Sequence, residues 1–156
     1  MIWNFFKDMD NLLSIIEFAL IGKLILSAAL GALVGAERSH TGKPAGIRTY
    51  ALVAMGATLF TIISELGFKD ATGFDPSRIV SQIVIGIGFI GAGLIMHHGS
   101  KVEGLTTAAG LWVVSAVGAA VGLGLYVVAV FTALFALFIL WVIGHWEFQR
   151  DYRERK

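Results

Sequence analysis

Charged and polar side chains are scarce in this chain, and they fall into two groups whose types and spacing could bind a charged ligand. The first is Glu37-Arg38 and Arg48-Thr49, separated by SHTGKPAGI, where Gly42, Pro44 and Gly46 predict a compact turn that brings Arg48 back toward Glu37. Either charge is expensive at a membrane boundary without a mate, so an ion-paired network of Glu37 with Arg38 or with Arg48 is expected. A structural surface pair and a binding site are both compatible with that network. Thr106 and Thr107 open a later apolar run on the same side, where their hydroxyls can cap a helix or line the site, and Trp112 lies further in, as a site residue or as packed aromatic surface. The second group is Asp75, Arg78, Ser81 and Gln82. Arg78, Gln82 and Gly86 recur every fourth residue, which places them on one helical face, and Asp75-Pro76 reads as a helix cap followed by proline at the first helical position.

Other chemistries find less support. The chain has 0 cysteines, so thiolate metal sites, disulfides and a thiol nucleophile are excluded. His97-His98 is the nearest histidine pair, but adjacent helical side chains point about 100° apart and no third ligand follows at a suitable spacing. Magnesium prefers carboxylate oxygens and retained water. Glu65, Asp70 and Asp75 could attract it from outside, but no acidic residue occupies the middle of spans two to five, so a cation path would rest on Gln82, hydroxyls and carbonyls. Magnesium therefore stays open as a ligand, no cofactor is implied, and no metal-binding residue is assigned. No spacing of nucleophile, base and orienting acid appears, so an enzyme is not expected. The formal net charge of +1 leaves no basic stripe for nucleic acid. Gly86-Ile-Gly88-Phe-Ile-Gly91 formally matches a dinucleotide fingerprint, but it sits inside a long uncharged run rather than between a strand and a helix of an alternating unit.

The elements that must position these residues follow from the apolar pattern. Of the 156 residues, 56% are hydrophobic and 15% charged, and the mean hydropathy is +0.78, which points to a membrane protein. The uncharged runs are 24–36, 49–64, 79–100 and 104–146. A crossing helix needs about 20 residues, so the first run must begin near Leu12 or Glu17 and carry Lys23, and the last must fold back near Gly122-Leu123-Gly124. Lys23 is then an interfacial anchor or a residue reaching into the bundle. The expected fold is an all-α polytopic membrane protein, a compact bundle of five transmembrane helices over about 12–36, 49–66, 78–96, 105–121 and 125–144. Arg38, Lys43, Arg48, Lys101 and the basic tail share one side, which places the N-terminus outside and the C-terminus in the cytoplasm. The N-terminal segment lacks the basic region and small-residue cleavage pattern of a signal peptide, so the first span is expected to be retained. Gly31 and Gly35 in span one, and Gly118 and Gly122 in span four, put small residues on one face for packing within the bundle or between copies, a homo-oligomer. Gly86, Gly88, Gly91 and Gly93 predict a helix that neighbours approach closely.

Several longer stretches, Glu37-Arg38, Ala45-Gly46-Ile47-Arg48-Thr49, Asp75-Pro76-Ser77-Arg78-Ile79, Gln82-Ile83-Val84, Gly86-Ile87-Gly88-Phe89 and Gly104-Leu105-Thr106-Thr107-Ala108-Ala109-Gly110-Leu111-Trp112, occur in the order found in the MgtC/SapB family of bacterial inner-membrane proteins, which the chain resembles over roughly residues 20 to 145. Residues 1–145 then form an MgtC/SapB-like transmembrane domain and 146–156 a short charged cytoplasmic tail, without the soluble C-terminal domain many members add. Ser39 departs from the glutamine that many relatives carry after the Glu-Arg pair. The resemblance implies a multi-pass protein of the bacterial inner membrane that serves adaptation to low magnesium or, in some pathogens, survival in host cells. Its implied partners are the lipid bilayer and a membrane protein such as the F-type ATP synthase. The expected role is regulatory, through binding of a membrane protein or a small ligand; transport of magnesium or another cation is the alternative.

Overall fold

The computed structural model describes residues 2–68, 73, 75, 77–99 and 101–144. Asp70, Pro76 and the basic tail 146–156, named in the expectations above, lie outside them. The described residues form five α-helices: α1 (Ile2–His40), α2 (Ile47–Gly67), α3 (Ser77–Ala92), α4 (Leu105–Gly122) and α5 (Tyr126–Phe138). α5 continues through a π-helical turn, Ile139–Ile143. Among the described residues four stretches, Ile15–His40, Ile47–Gly67, Leu105–Gly122 and Tyr126–Ile143, are long and apolar enough to cross a membrane.

Glycine closes two of the helices in the same way. At the end of α1 the amides of Lys43 and Gly42 bond back to the carbonyls of Arg38 and Ser39, and at the end of α4 those of Leu125 and Gly124 bond to Ala120 and Val121. Gly42 (φ +67) and Gly124 (φ +79) take the left-handed conformation that this motif requires. The long last run therefore folds back where expected.

The third span is shorter than expected. Its helix stops at Ala92 rather than Met96, at 16 residues or about 24 Å by the rise of about 1.5 Å per residue. Met96–His98 instead pairs antiparallel with Lys101–Glu103 as strands β1 and β2, with His97 opposite Val102. Gly104 (φ +87) joins this hairpin to α4, and a Cβ there would run into the Leu94 carbonyl, so only glycine fits.

The core lies where α1, α2 and α4 meet. Leu30 and Val34 of α1, Tyr50 and Ala54 of α2, and Leu111, Val114, Val117 and Val121 of α4 are buried together. α5 adds Ala129, Ala133 and Leu140, while α3 contributes only Ile87 and so borders this core. Outward-facing Phe18, Ile25, Phe60, Phe89, Val127, Phe131 and Trp141 are all more than half exposed, as residues bathed in lipid would be.

The glycine pairs behave as packing devices. A Cβ on Gly31 would stand 2.5 Å from the Tyr50 carbonyl oxygen, and one on Gly35 would stand 2.8 Å from the Tyr50 Cβ. A Cβ on Gly118 would overlap the Ala54 carbonyl oxygen, and one on Gly122 would stand 2.7 Å from the Thr61 Cβ. The backbones of α1 and α4 thus both lie directly on α2. In α3, Gly91 touches Ala108 of α4, but Gly86 and Gly88 have nothing within 4 Å of an added Cβ, and Gly93 meets only carbonyls of its own turn. The expectation of close packing is corrected at Gly86 and Gly88, which α3 turns away from its neighbours, and at Gly93, which lies past the end of the helix and meets only its own preceding turn.

Candidate functional site

The end of the bundle where α1 stops and α2 and α4 begin holds a polar cluster. Glu37 and Arg38 sit in the last turn of α1, where a cation is favoured by the partial negative charge of the helix end. Arg38 is 4% exposed, and its Nε donates to Glu37 Oε2. Of the two pairings left open by the sequence, the structure therefore takes Glu37 with Arg38. Arg48 is exposed on the first turn of α2 and has no side-chain partner among the described residues, so the turn does not bring it onto Glu37. The turn serves a different purpose: Ser39 Oγ accepts the Ile47 amide at 3.0 Å, tying the end of α1 to the start of α2.

Tyr50 is the residue this arrangement turns on. It is fully buried, and its hydroxyl donates to the Thr107 carbonyl at 3.0 Å, joining the first turns of α2 and α4. Both Arg38 and Glu37 lie within electrostatic reach of that hydroxyl. Gly110 makes room for it, since a Cβ there would collide with the Tyr50 hydroxyl. Tyr50 stood beside two residues singled out in the sequence, yet nothing local marked it. The available signal was an aromatic residue with a polar tip one turn into an apolar span, facing glycines on two other helices.

Thr107 is buried in this cluster, Thr49 is half-buried next to Tyr50, and Thr106 is exposed at its rim. The residues preceding α2 and α4, Gly46 and Gly104, have no side chain with which to cap them, and at α2 Ser39 supplies the acceptor instead. Trp112 is 51% exposed on the outside of α4 and does not join the site.

The second group lies at the opposite end. Asp75 Oδ1 accepts the Ser77 amide at 3.0 Å and the Ser77 hydroxyl at 2.6 Å, which caps α3. Those two bonds, with a smaller contribution from Arg78, hold the Asp75 carboxyl below its ordinary range. Arg78 reaches Asp75 at 3.9 Å but is 82% exposed, so the pair is a surface contact. Gln82 and Gly86 do share a face, and with Leu52, Gly56, Phe60 and Ile90 they line an open apolar groove of about 600 Å³ between α2 and α3. The structure thus separates the two groups: Glu37, Arg38, Tyr50 and Thr107 at one end, Asp75, Arg78 and Gln82 toward the other.

Between them runs a line of buried hydroxyls. Thr58 donates to the carbonyls of Ala54 (3.0 Å) and Gly118 (2.7 Å), Thr61 to Ala57 (2.8 Å) and Ser27 to Leu24 (3.0 Å). Lys23, the charged residue of span one, reaches inward and donates to the Gly122 carbonyl at 2.7 Å. Its partner is the end of α4, not a carboxylate.

The chain matches the family model described as the MgtC family over residues 24–148. YhiD of Escherichia coli (strain K12), named as a candidate magnesium transporter, is 42% identical over 132 residues, covering 81% of this chain and 61% of that protein. MgtC of Salmonella typhimurium (strain LT2) is 49% identical over 107 residues, covering 69% of this chain and 45% of that protein. SrpB of Synechococcus elongatus is 39% identical over 129 residues, covering 76% of this chain and 71% of SrpB. The chain therefore spans less than two thirds of YhiD and less than half of MgtC. No solved structure matches it.

Proposed function

The chain belongs to the MgtC family, and from that premise we propose that it is a non-enzymatic regulator in the bacterial inner membrane that acts under magnesium limitation by binding a membrane protein or a small ligand. Its magnesium-related membrane role follows the MgtC and YhiD relatives. The mode of action rests on the way the hydroxyls between α1, α2 and α4 are spent. Tyr50, Thr58 and Thr61 each donate to a backbone carbonyl, and glycine contacts bring the three backbones together around them. Such a seam favours a rigid scaffold that presents its ends and faces to a partner over a wet path for a hydrated cation. Arg38, Lys43, Arg48 and Lys101 share one end of the bundle, which is the cytoplasmic end by the positive-inside rule, with the N-terminus outside. The partner implied by the family resemblance is the F-type ATP synthase.

Two measurements test this reading. Purified protein in liposomes is loaded with an internal magnesium indicator, and no saturable flux is expected; robust flux that is lost on Gln82→Ala or Asp75→Ala overturns the regulatory reading in favour of a transporter. Crosslinking in native membranes is expected to capture ATP synthase subunits repeatedly from wild type and to lose them with Arg48→Ala. Labelled hydrolysis products formed by the pure protein would overturn the non-enzymatic part.

A further inference from the structure

The open groove between α2 and α3 has a shape that selects among occupants. Its walls are apolar, and Gly56 and Gly86 widen it, each with nothing within 4 Å of an added Cβ. Along α3 the lining runs from Ile79 to Ile90, about 17 Å at a rise of about 1.5 Å per residue, close to the roughly 15 Å depth of one leaflet's hydrocarbon. A volume of about 600 Å³ over that length gives a mean cross-section of about 35 Å². A helix body about 10 Å across needs more than twice that area, so a transmembrane helix does not enter the groove. A polymethylene chain has both the width and the length to lie in it.

The polar groups follow in an order that matches such a chain. Gln82 lines the groove, and its amide has no hydrogen-bond partner among the described residues. Facing hydrocarbon, that amide costs free energy until a donor or acceptor reaches it. Arg78 stands on the same face one turn nearer the start of α3, about 6 Å along the axis. Its side chain is 82% exposed and lies beside Asp75. Asp75 Oδ1 is taken by the Ser77 amide and hydroxyl, but Oδ2 is 3.9 Å from Arg78 Nε, too far for a hydrogen bond. Oδ2 therefore keeps its acceptor capacity, and the guanidinium keeps its donors. A cation and an anion side by side give this end of the groove no preference for a purely anionic headgroup. They complement a headgroup that itself carries one charge of each sign.

We infer that the groove seats an acyl chain of a glycerophospholipid with a zwitterionic amino headgroup, with the phosphate on Arg78, the ammonium on Asp75 and an ester carbonyl on the Gln82 amide. Charged headgroup, ester and chain succeed one another down the lipid as Arg78, Gln82 and Gly86 do down α3. A primary ammonium can donate to Oδ2 and a quaternary one cannot, so the site favours phosphatidylethanolamine over phosphatidylcholine. The lipid belongs to the leaflet at the start of α3, opposite the Glu37 and Arg38 end. This inference goes beyond the regulatory reading and does not depend on it, because it concerns a bound lipid and needs neither a partner protein nor magnesium flux.

The test places the full chain in nanodiscs made of equal parts phosphatidylethanolamine, phosphatidylglycerol and phosphatidylcholine, and native mass spectrometry identifies the lipids retained on release. Phosphatidylethanolamine is expected at least threefold enriched over each of the others. Gly86→Leu and Gly56→Leu fill the groove from its two walls, in open space, and each should keep the helical content of wild type while lowering retention at least fivefold. Gly22→Leu, equally open but on α1 and outside the groove, should leave retention unchanged. Asp75→Asn keeps an Oδ1 acceptor for Ser77 and loses the charge, and should remove the preference over phosphatidylglycerol. Equal retention of the three lipids overturns the inference, as does retention that the groove-filling variants leave intact or that Gly22→Leu lowers as much. An unchanged preference in Asp75→Asn overturns the headgroup assignment, and a pair of chains that Gly86→Leu separates gives the groove to a second copy instead.

Discussion

Substituting Gly118 by alanine tests the idea that the backbone contact between α2 and α4 holds the bundle together. The added methyl would overlap the Ala54 carbonyl oxygen and stand 2.9 Å from its carbon, so no side-chain rotation relieves the clash and the helices must move apart. That movement also stretches the 2.7 Å bond from Thr58 Oγ1 to the Gly118 carbonyl. Overpacking of this kind costs about 1–3 kcal/mol, and an interhelical hydrogen bond in a membrane is worth about 0.6 kcal/mol. Alanine returns up to about 1 kcal/mol through its higher helix propensity. Because the obstacle is backbone, the upper part of the packing range applies, and a net loss of about 2 kcal/mol is expected. Gly86→Ala is the matched control: it makes the same chemical change in α3, where nothing lies within 4 Å of the new methyl. It should leave stability within about 1 kcal/mol of wild type, on the stabilising side. Both are measured by unfolding in mixed micelles with increasing sodium dodecyl sulfate, followed by helical circular dichroism. If Gly118→Ala is no less stable than Gly86→Ala, close approach of α2 and α4 does not carry the stability argued here.

Three further outcomes are expected. Tyr50→Phe removes the hydrogen bond to Thr107 while preserving the ring, and the same unfolding assay should report a loss of about 0.5–1.5 kcal/mol. Lys23→Met keeps the length of the side chain but leaves the Gly122 carbonyl without its donor; a charge-assisted bond of this kind is worth about 1.5–3 kcal/mol, and hydrogen exchange should rise first in the last turn of α4. Asp75, whose carboxyl is held below its ordinary range chiefly by Ser77, should support the start of α3 at all pH values above its unfolded pKa and lose that support as pH falls through the lower folded value. Exchange of the Ser77 amide followed over an acidic pH series checks this, and Asp75→Ala should abolish the dependence.

The legible parts of this fold were those written in long-range hydropathy or in small-residue spacing. The turn at Gly122-Leu123-Gly124 could be placed because a helix through the whole last run would far exceed the membrane, and Gly31, Gly35, Gly118 and Gly122 could be paired because small residues four apart share a face. The hairpin at Met96–Glu103 was hidden, because Leu94, Ile95 and Met96 extend an apolar run without a charge to end it. Gly86 and Gly88 had the same small-residue signature as the packing glycines, and only the orientation of α3, set by Ile87 and Gly91 against its neighbours, separates the two. At the site, Glu37 and Arg38 stood out by charge. Their relation to Tyr50 and Thr107 did not, since it depends on a contact across 57 residues of chain.

The bond from Lys23 to Gly122 spans 99 positions in sequence. At synthesis rates of about 5–20 residues per second, the acceptor emerges about 5–20 s after its donor. During that interval the ammonium of the first span has no carbonyl to meet and is stable only near the membrane surface, where its stem can carry it to water. The first helix thus completes this contact only once the fourth has been made, which puts the Lys23 bond late in the assembly of the bundle.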